Sequence, residues 1–156
     1  MDKLGRKFLN ARRTKKSVGL LGGTFDPPHN GHSRISMLAL KHFKLDEVWW
    51  IVSLLNPLKN EKTISSFDFR VNEAKKISRN SNIIISSVEK DIKTPYTIDV
   101  LDYLTFKHPK ISFVWLLGVD NLEKKSGDLA ELQEQFLASN DSSINFFKFR
   151  PTIANV

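Results

Sequence analysis

His29 and His32 stand three residues apart in the stretch GGTFDPPHNGH, residues 22–32, which also holds three glycines, two prolines and one aspartate. An imidazole can donate a hydrogen bond from either ring nitrogen, so two histidines near one helix start could reach the same anion. Glycines between a strand and a helix let backbone N–H groups come close to a ligand, and the helix N-terminus adds partial positive charge. The combination suits a phosphate chain. The competing account has one histidine capping the helix and the other packing in the core, which would suffice for a lone histidine but is weak for HNGH bracketed by GGTFDPP. Zinc is a poorer fit, because no third ligand of suitable type lies close in sequence and no metal site is expected.

The elements around this stretch must place it. Val18, Leu20 and Leu21 form a short apolar run ending at Gly22-Gly23, the pattern of a buried parallel strand. Ile35, Leu38 and Ala39, widened by Met37 and Leu40, predict a helix starting near Gly31 with that stripe toward the core. The continuous apolar centre Val48–Val52 predicts the next strand, which completes a βαβ unit. The alternation repeats: Ser66 can cap a helix over 67–78, and the run NIIISSVE supplies strand residues at Ile83, Ile84 and Ile85. A third helix is expected in TPYTIDVLDYLTFKHP, with Pro95 in its first turn and Ile98, Leu101 and Leu104 inward, followed by a strand, ISFVWLLG, ending at Gly118. Leu129, Leu132, Phe136 and Leu137 fall at helical spacing, and INFFKFRP reads as a fifth strand. The fold class expected is α/β, a Rossmann-like doubly wound parallel sheet with helices on both faces. Ligands of such folds bind at the carboxyl ends of the strands, where Gly22, Gly23 and Gly118 lie.

A chain of 156 residues that is 40% hydrophobic has room for one domain with a real core. Cysteine is absent, which excludes a disulfide framework and thiolate metal sites and agrees with a reducing compartment. No apolar stretch approaches the roughly 20 residues that a membrane helix needs, and the N-terminus lacks the apolar centre of a secretory signal. The expectation is a soluble, cytoplasmic protein that does not engage a membrane. Of the net charge of +7, six units come from residues 1–17, where seven lysines and arginines face Asp2 alone. That confinement favours a solvated, disordered arm over a nucleic-acid-binding surface. The expected organisation is therefore a basic arm, 1–17, and a single domain, 18–156.

GGTFDPPHNGH resembles the signature of the nucleotidyltransferases that carry an HxGH motif, in the form found in bacterial nicotinate-nucleotide adenylyltransferases. NPLK at 56–59, TPYTIDVL opening the third helix and GVDNL at 118–122 are similar to further segments of that family, in the same order. The resemblance covers about residues 18–122. It implies transfer of the adenylyl group of ATP to nicotinate mononucleotide, with Mg2+ accompanying ATP. It also implies that His29 and His32 contact the reacting triphosphate, and that Gly22, Gly23, Thr24 and Phe25 line the nucleotide site through their backbone. By the same likeness Lys59 approaches phosphate, Tyr96 and Thr97 hold nicotinate mononucleotide, and Gly118 and Asp120 lie between nucleotide and acceptor. Plainer roles exist for Lys59 at the surface, Thr97 in a first turn and Asp120 as a helix cap.

Beyond Leu122 the sequence departs from the resembled pattern. EKKSGDLAELQEQF stands where tryptophan- and histidine-bearing sequence is expected, no tryptophan follows Trp115, and the serine-rich SSTxIR motif has no counterpart. The expectation is a domain shortened relative to the family, with weakened ATP binding and some exposed apolar surface. Alternatives accompany the leading one: a pantetheine-phosphate adenylyltransferase or a related cytidylyltransferase, against both of which NPLK and TPYTIDVL argue, and a nucleotide-binding remnant without catalysis.

Overall fold

Strand and helix alternate along the chain: β1 (Lys16–Gly23), α1 (Asn30–His42), β2 (Glu47–Val52), α2 (Phe67–Ile77), β3 (Ile83–Ser86), α3 (Val88–Ile92), α4 (Thr97–Lys107), β4 (Ile111–Gly118) and β5 (Ile144–Phe149). The computed structural model describes residues 15–54, 63–94, 96–118 and 144–149, the last segment and residues 117 and 118 by backbone alone. All neighbouring strands pair in parallel, in the order β3-β2-β1-β4-β5. β1 is thus the central strand, and the connection after β3 crosses back over it to reach β4.

Successive strand residues point to opposite faces, and each face carries its own core. Leu21, Val48, Trp50, Val52, Val114 and Leu116 pack with Ala39 of α1 and with Val71 and Ala74 of α2. Val18, Leu20, Ile51, Phe113 and Trp115 pack on the other side with Val88 of α3 and with Val100, Leu101 and Leu104 of α4. The doubly wound α/β sheet read from the alternation is the fold observed. Among the described residues no helix is long and apolar enough to cross a membrane.

Local chemistry accounts for most boundaries. Ser66 accepts the Phe69 amide at 3.3 Å and caps α2, as its sequence predicts. The strand read through NIIISSVE instead stops at Ser86, and Val88–Ile92 forms a short helix that Lys93 closes in the left-handed conformation, φ 54°. Lys16 and Ser17, assigned above to the basic arm, are the first residues of β1, where Lys16 pairs with Glu47 at 2.6 Å. Residues 1–14, Pro95, the helical pattern at 129–137 and the sequence after Phe149 lie outside the described residues.

The face of α1 differs from the one expected. Met37 and Leu38 are each about half exposed, while Ser36 and Ala39 are buried. Ser36 takes a core position because its hydroxyl is fully used: it donates to the His32 carbonyl at 2.8 Å and accepts from Trp50 Nε1 at 2.8 Å. Treating serine as a surface residue rotates the expected stripe away from the true one. Ser36→Ala leaves the buried Trp50 indole without an acceptor and should cost about 1–3 kcal/mol of stability, read by denaturant unfolding. A midpoint unchanged from wild type would show that the indole finds another partner.

Candidate functional site

In parallel βαβ units the helices run against the strands, so the N-termini of α1, α2 and α4 stand at the carboxyl edge of the sheet, where β1, β2 and β4 end. The HNGH residues form the first turn of α1 there. His29 is its N-cap, and its Nδ1 accepts the Gly31 amide at 3.1 Å. His32 Nδ1 accepts the His29 amide at 3.1 Å, so each imidazole satisfies a backbone donor of the helix start. The two rings lie 4.0 Å apart, centroid to centroid. With Nδ1 an acceptor in both rings, the proton of each neutral imidazole sits on Nε2, which remains available to donate. The two accounts posed for the histidines, capping and anion contact, are therefore compatible: one nitrogen serves the helix and the other is free for a ligand.

His32 is half-buried, with its ring 4.6 Å from that of Phe25 and 5.7 Å from that of Trp50. Burial, followed by the repulsion of a charged His29, lowers its pKa from the ordinary 6.5 to about 4. At neutral pH it is an uncharged donor. Between pH 6.5 and 4 the unfolded chain takes up a proton at His32 that the folded chain refuses, so folding stability falls as the pH drops through that window. Thermal melts should show the advantage of wild type over His32→Gln shrinking from pH 6.5 to 4. A constant difference between the two would contradict the lowered pKa.

The glycines do not form the turn after β1. Gly22 and Gly23 lie within the strand, opposite Ile51 and Val52, and no glycine among the described residues has positive φ. The left-handed position is Phe25, φ 52°, a conformation that costs a bulky side chain about 1–3 kcal/mol. Its ring is 2% exposed and stacks on Trp50 at 5.0 Å, which holds the backbone there. Thus the Phe25 side chain belongs to the core and supports His32, and only its backbone is placed to line a ligand.

Of the other residues predicted for the site, Thr24 follows β1 and its carbonyl is taken by Arg70 Nη1 at 2.9 Å. Gly118 ends β4. The register pairs Leu21 with Leu116, so Gly118 comes level with Gly23 on the adjacent strand. Tyr96 and Thr97 open α4 at the same edge but over the opposite face of the sheet from α1; Tyr96 is 66% exposed and makes no side-chain cap bond. Lys59 and Asp120 lie outside the described residues.

Three further residues have no counterpart in the sequence-level list. Arg70, 3% exposed, donates from Nε to the Ser65 carbonyl at 3.0 Å and from Nη1 to the carbonyls of Thr24 and Ser53 at 2.9 and 2.8 Å. Glu89, 5% exposed, accepts the Leu54 amide at 2.7 Å. Burial draws the arginine below its usual pKa, while Asp26 and Glu89 oppose that. Gly31 is the third: a Cβ there would fall 2.7 Å from His29 Nδ1. A charged residue on an amphipathic helix gives no signal of such a role in sequence, and the HNGH stretch marks Gly31 as part of a motif without showing that its missing side chain makes room for His29.

A family model described as cytidylyltransferase-like matches residues 20–148. A protein of Parvibaculum lavamentivorans, named "Probable nicotinate-nucleotide adenylyltransferase", is 48% identical over 105 residues, which make up 67% of this chain and 52% of that protein. A protein of the same name from Ruegeria sp. is 47% identical over 106 residues, covering 68% of this chain and 56% of its own. The chain thus spans about half the length of the curated relatives it matches. Among solved structures, the nicotinic acid mononucleotide adenylyltransferase of Plasmodium falciparum, complexed with NaAD, superposes with a TM-score of 0.67 at 19% identity, over 90% of this chain and 77% of that one. At that identity the likeness is one of fold.

Proposed function

The chain belongs to the cytidylyltransferase-like family, and from that premise we propose that it transfers the adenylyl group of ATP to nicotinate mononucleotide. A phosphate oxygen of the acceptor attacks the α-phosphorus of ATP, the bond from that phosphorus to the β-phosphate bridging oxygen breaks, and deamido-NAD and pyrophosphate form. The observation that carries this reading is the pairing of His29 and His32 at the start of a 13-residue helix, each with Nδ1 spent on a backbone amide and Nε2 left to donate. The names of relatives at 48 and 47% identity support the choice of acceptor.

The chemistry asks mainly for alignment of attacker and leaving group and for donors aimed at the oxygens where charge develops. The uncharged His32 imidazole, the Nε2 donor of His29 and the positive end of α1 meet the second need without a covalent intermediate. No three His, Cys, Asp or Glu side chains converge as a cation cage among the described residues, and both Nδ1 atoms are engaged in backbone bonds. Magnesium enters this reading with ATP, as the family resemblance implies, neutralising its phosphates. Thr97 and Tyr96, on the far side of the edge from the histidines, are assigned to the acceptor. Lys59 and Asp120 keep their roles toward phosphate and the space between the substrates as proposals, and a cytoplasmic setting fits both substrates.

The test is pyrophosphate release by the purified chain with MgATP and, in parallel, nicotinate mononucleotide, nicotinamide mononucleotide or phosphopantetheine. Release with nicotinate mononucleotide alone is expected. Release only with phosphopantetheine would move the assignment to the pantetheine enzymes, and silence with all three from a folded chain would favour a non-catalytic nucleotide-binding protein.

A further inference from the structure

We infer that Arg70 is a positioning residue for the site, acting with Glu89 to fix the segments that leave β1 and β2 and thereby the place of His29 and His32. The inference rests on the adenylyl-transfer reading for its kinetic consequence and on geometry for the rest. One guanidinium nitrogen, Nη1, bridges two carbonyls from different strand exits, Thr24 after β1 and Ser53 after β2. Nε holds a third carbonyl, that of Ser65 just ahead of α2. Glu89 grips the Leu54 amide, the N–H of the same peptide whose Ser53 carbonyl Arg70 holds, so both polar groups of one peptide at this exit are fastened, from α2 and from α3. Asp26 accepts the Ser65 amide at 2.8 Å, which ties the turn before α1 to the same place.

Two of these attachments, at Thr24 and Asp26, lie directly upstream of the histidines. Thr24, held by Arg70, is followed by Phe25 in its left-handed conformation, and the Phe25 ring supports His32. A rigid fork of donors suits three carbonyls in fixed directions, whereas a lysine ammonium is a point charge on a flexible stem. A purely structural arginine would serve stability alone. Here the Thr24 carbonyl belongs to the segment that leads into the candidate phosphate-facing histidines, and the same nitrogen ties it to the β2 exit, so a loosened fork displaces the reacting groups.

The experiment compares wild type with Arg70→Lys by steady-state kinetics and by NMR titration of the imidazoles, below the thermal transition of both. The expected result is a folded variant whose kcat falls about 10- to 100-fold, as when groups that orient a site's residues are replaced, with KM for MgATP less affected. In the same variant the His32 midpoint climbs from about 4 toward 6.5, because its packing loosens. A lower Tm with unchanged kcat and an unchanged His32 midpoint would overturn the inference. Should wild type turn over no acceptor, the functional reading fails and the imidazole titration alone decides the positioning role. If Arg70→Lys does not fold, Glu89→Gln replaces it: this variant keeps an acceptor for the Leu54 amide but removes the charge facing Arg70. A smaller rise of the His32 midpoint is then expected, and no rise overturns the inference.

Discussion

Replacing either histidine should lower turnover by about 10²- to 10³-fold, the loss that follows removal of one preorganised donor to an oxygen developing charge. The two positions differ in what else they lose. His29→Ala also removes the acceptor for the Gly31 amide, a cap worth about 0.5–2 kcal/mol, so its kinetic loss comes with a lowered Tm. His29→Asn separates the effects. Asparagine is among the best N-cap residues, yet it ends short of where Nε2 reaches, so the fold should keep its stability while turnover still falls. His32→Ala removes the acceptor for the His29 amide and the ring that lies against Phe25 and Trp50, and both substrate turnover and local packing should suffer. Steady-state kinetics beside denaturant unfolding read both quantities. Near-normal turnover in His29→Asn would end the assignment of His29 to the reacting phosphates and leave it a cap.

Much of the scaffold was legible because its signals are local and redundant. Val18, Leu20 and Leu21, or Val48–Val52, are continuous apolar runs with no surface face to confuse them, and the alternation with helices restricts the topology to a parallel sheet. Ser66 announced α2 because capping depends on a single side chain and the amide three residues on. What escaped depends on tertiary partners. Ser36 is polar in sequence and buried in the fold because Trp50, fourteen residues away, needs an acceptor. Arg70 resembles any basic residue on a solvated helix until its three carbonyls, one of them 46 residues distant, are brought around it. The turn after β1 departs from expectation for a related reason: glycines suggested that they form it, but Gly22 and Gly23 stay in the strand and burial against Trp50 holds Phe25 in the left-handed conformation of the turn. The candidate site announces itself at the histidines, whose chemistry and spacing are both unusual, whereas Tyr96 and Thr97 are common residue types that entered only through the family resemblance.

Gly31→Ala should cost turnover about 10²-fold while hardly changing stability, an outcome that only a steric role for this glycine explains. Gly31 lies in the first turn of α1 with an ordinary negative φ, so backbone conformation does not demand glycine there. In helical interiors alanine is favoured over glycine by about 1 kcal/mol, a gain comparable with the cap bond that the variant gives up. What alanine cannot do is share the space: its Cβ would stand 2.7 Å from His29 Nδ1 and 2.8 Å from Cε1, so the imidazole must swing out of the cap. Once it does, Nδ1 no longer accepts the Gly31 amide, the tautomer is no longer fixed, and Nε2 points elsewhere. A displacement on the order of 1 Å in a positioned group suffices for a hundredfold loss. Wild-type turnover in Gly31→Ala would show that the capped His29 rotamer is not the working one, and His32 would then carry the donor role alone.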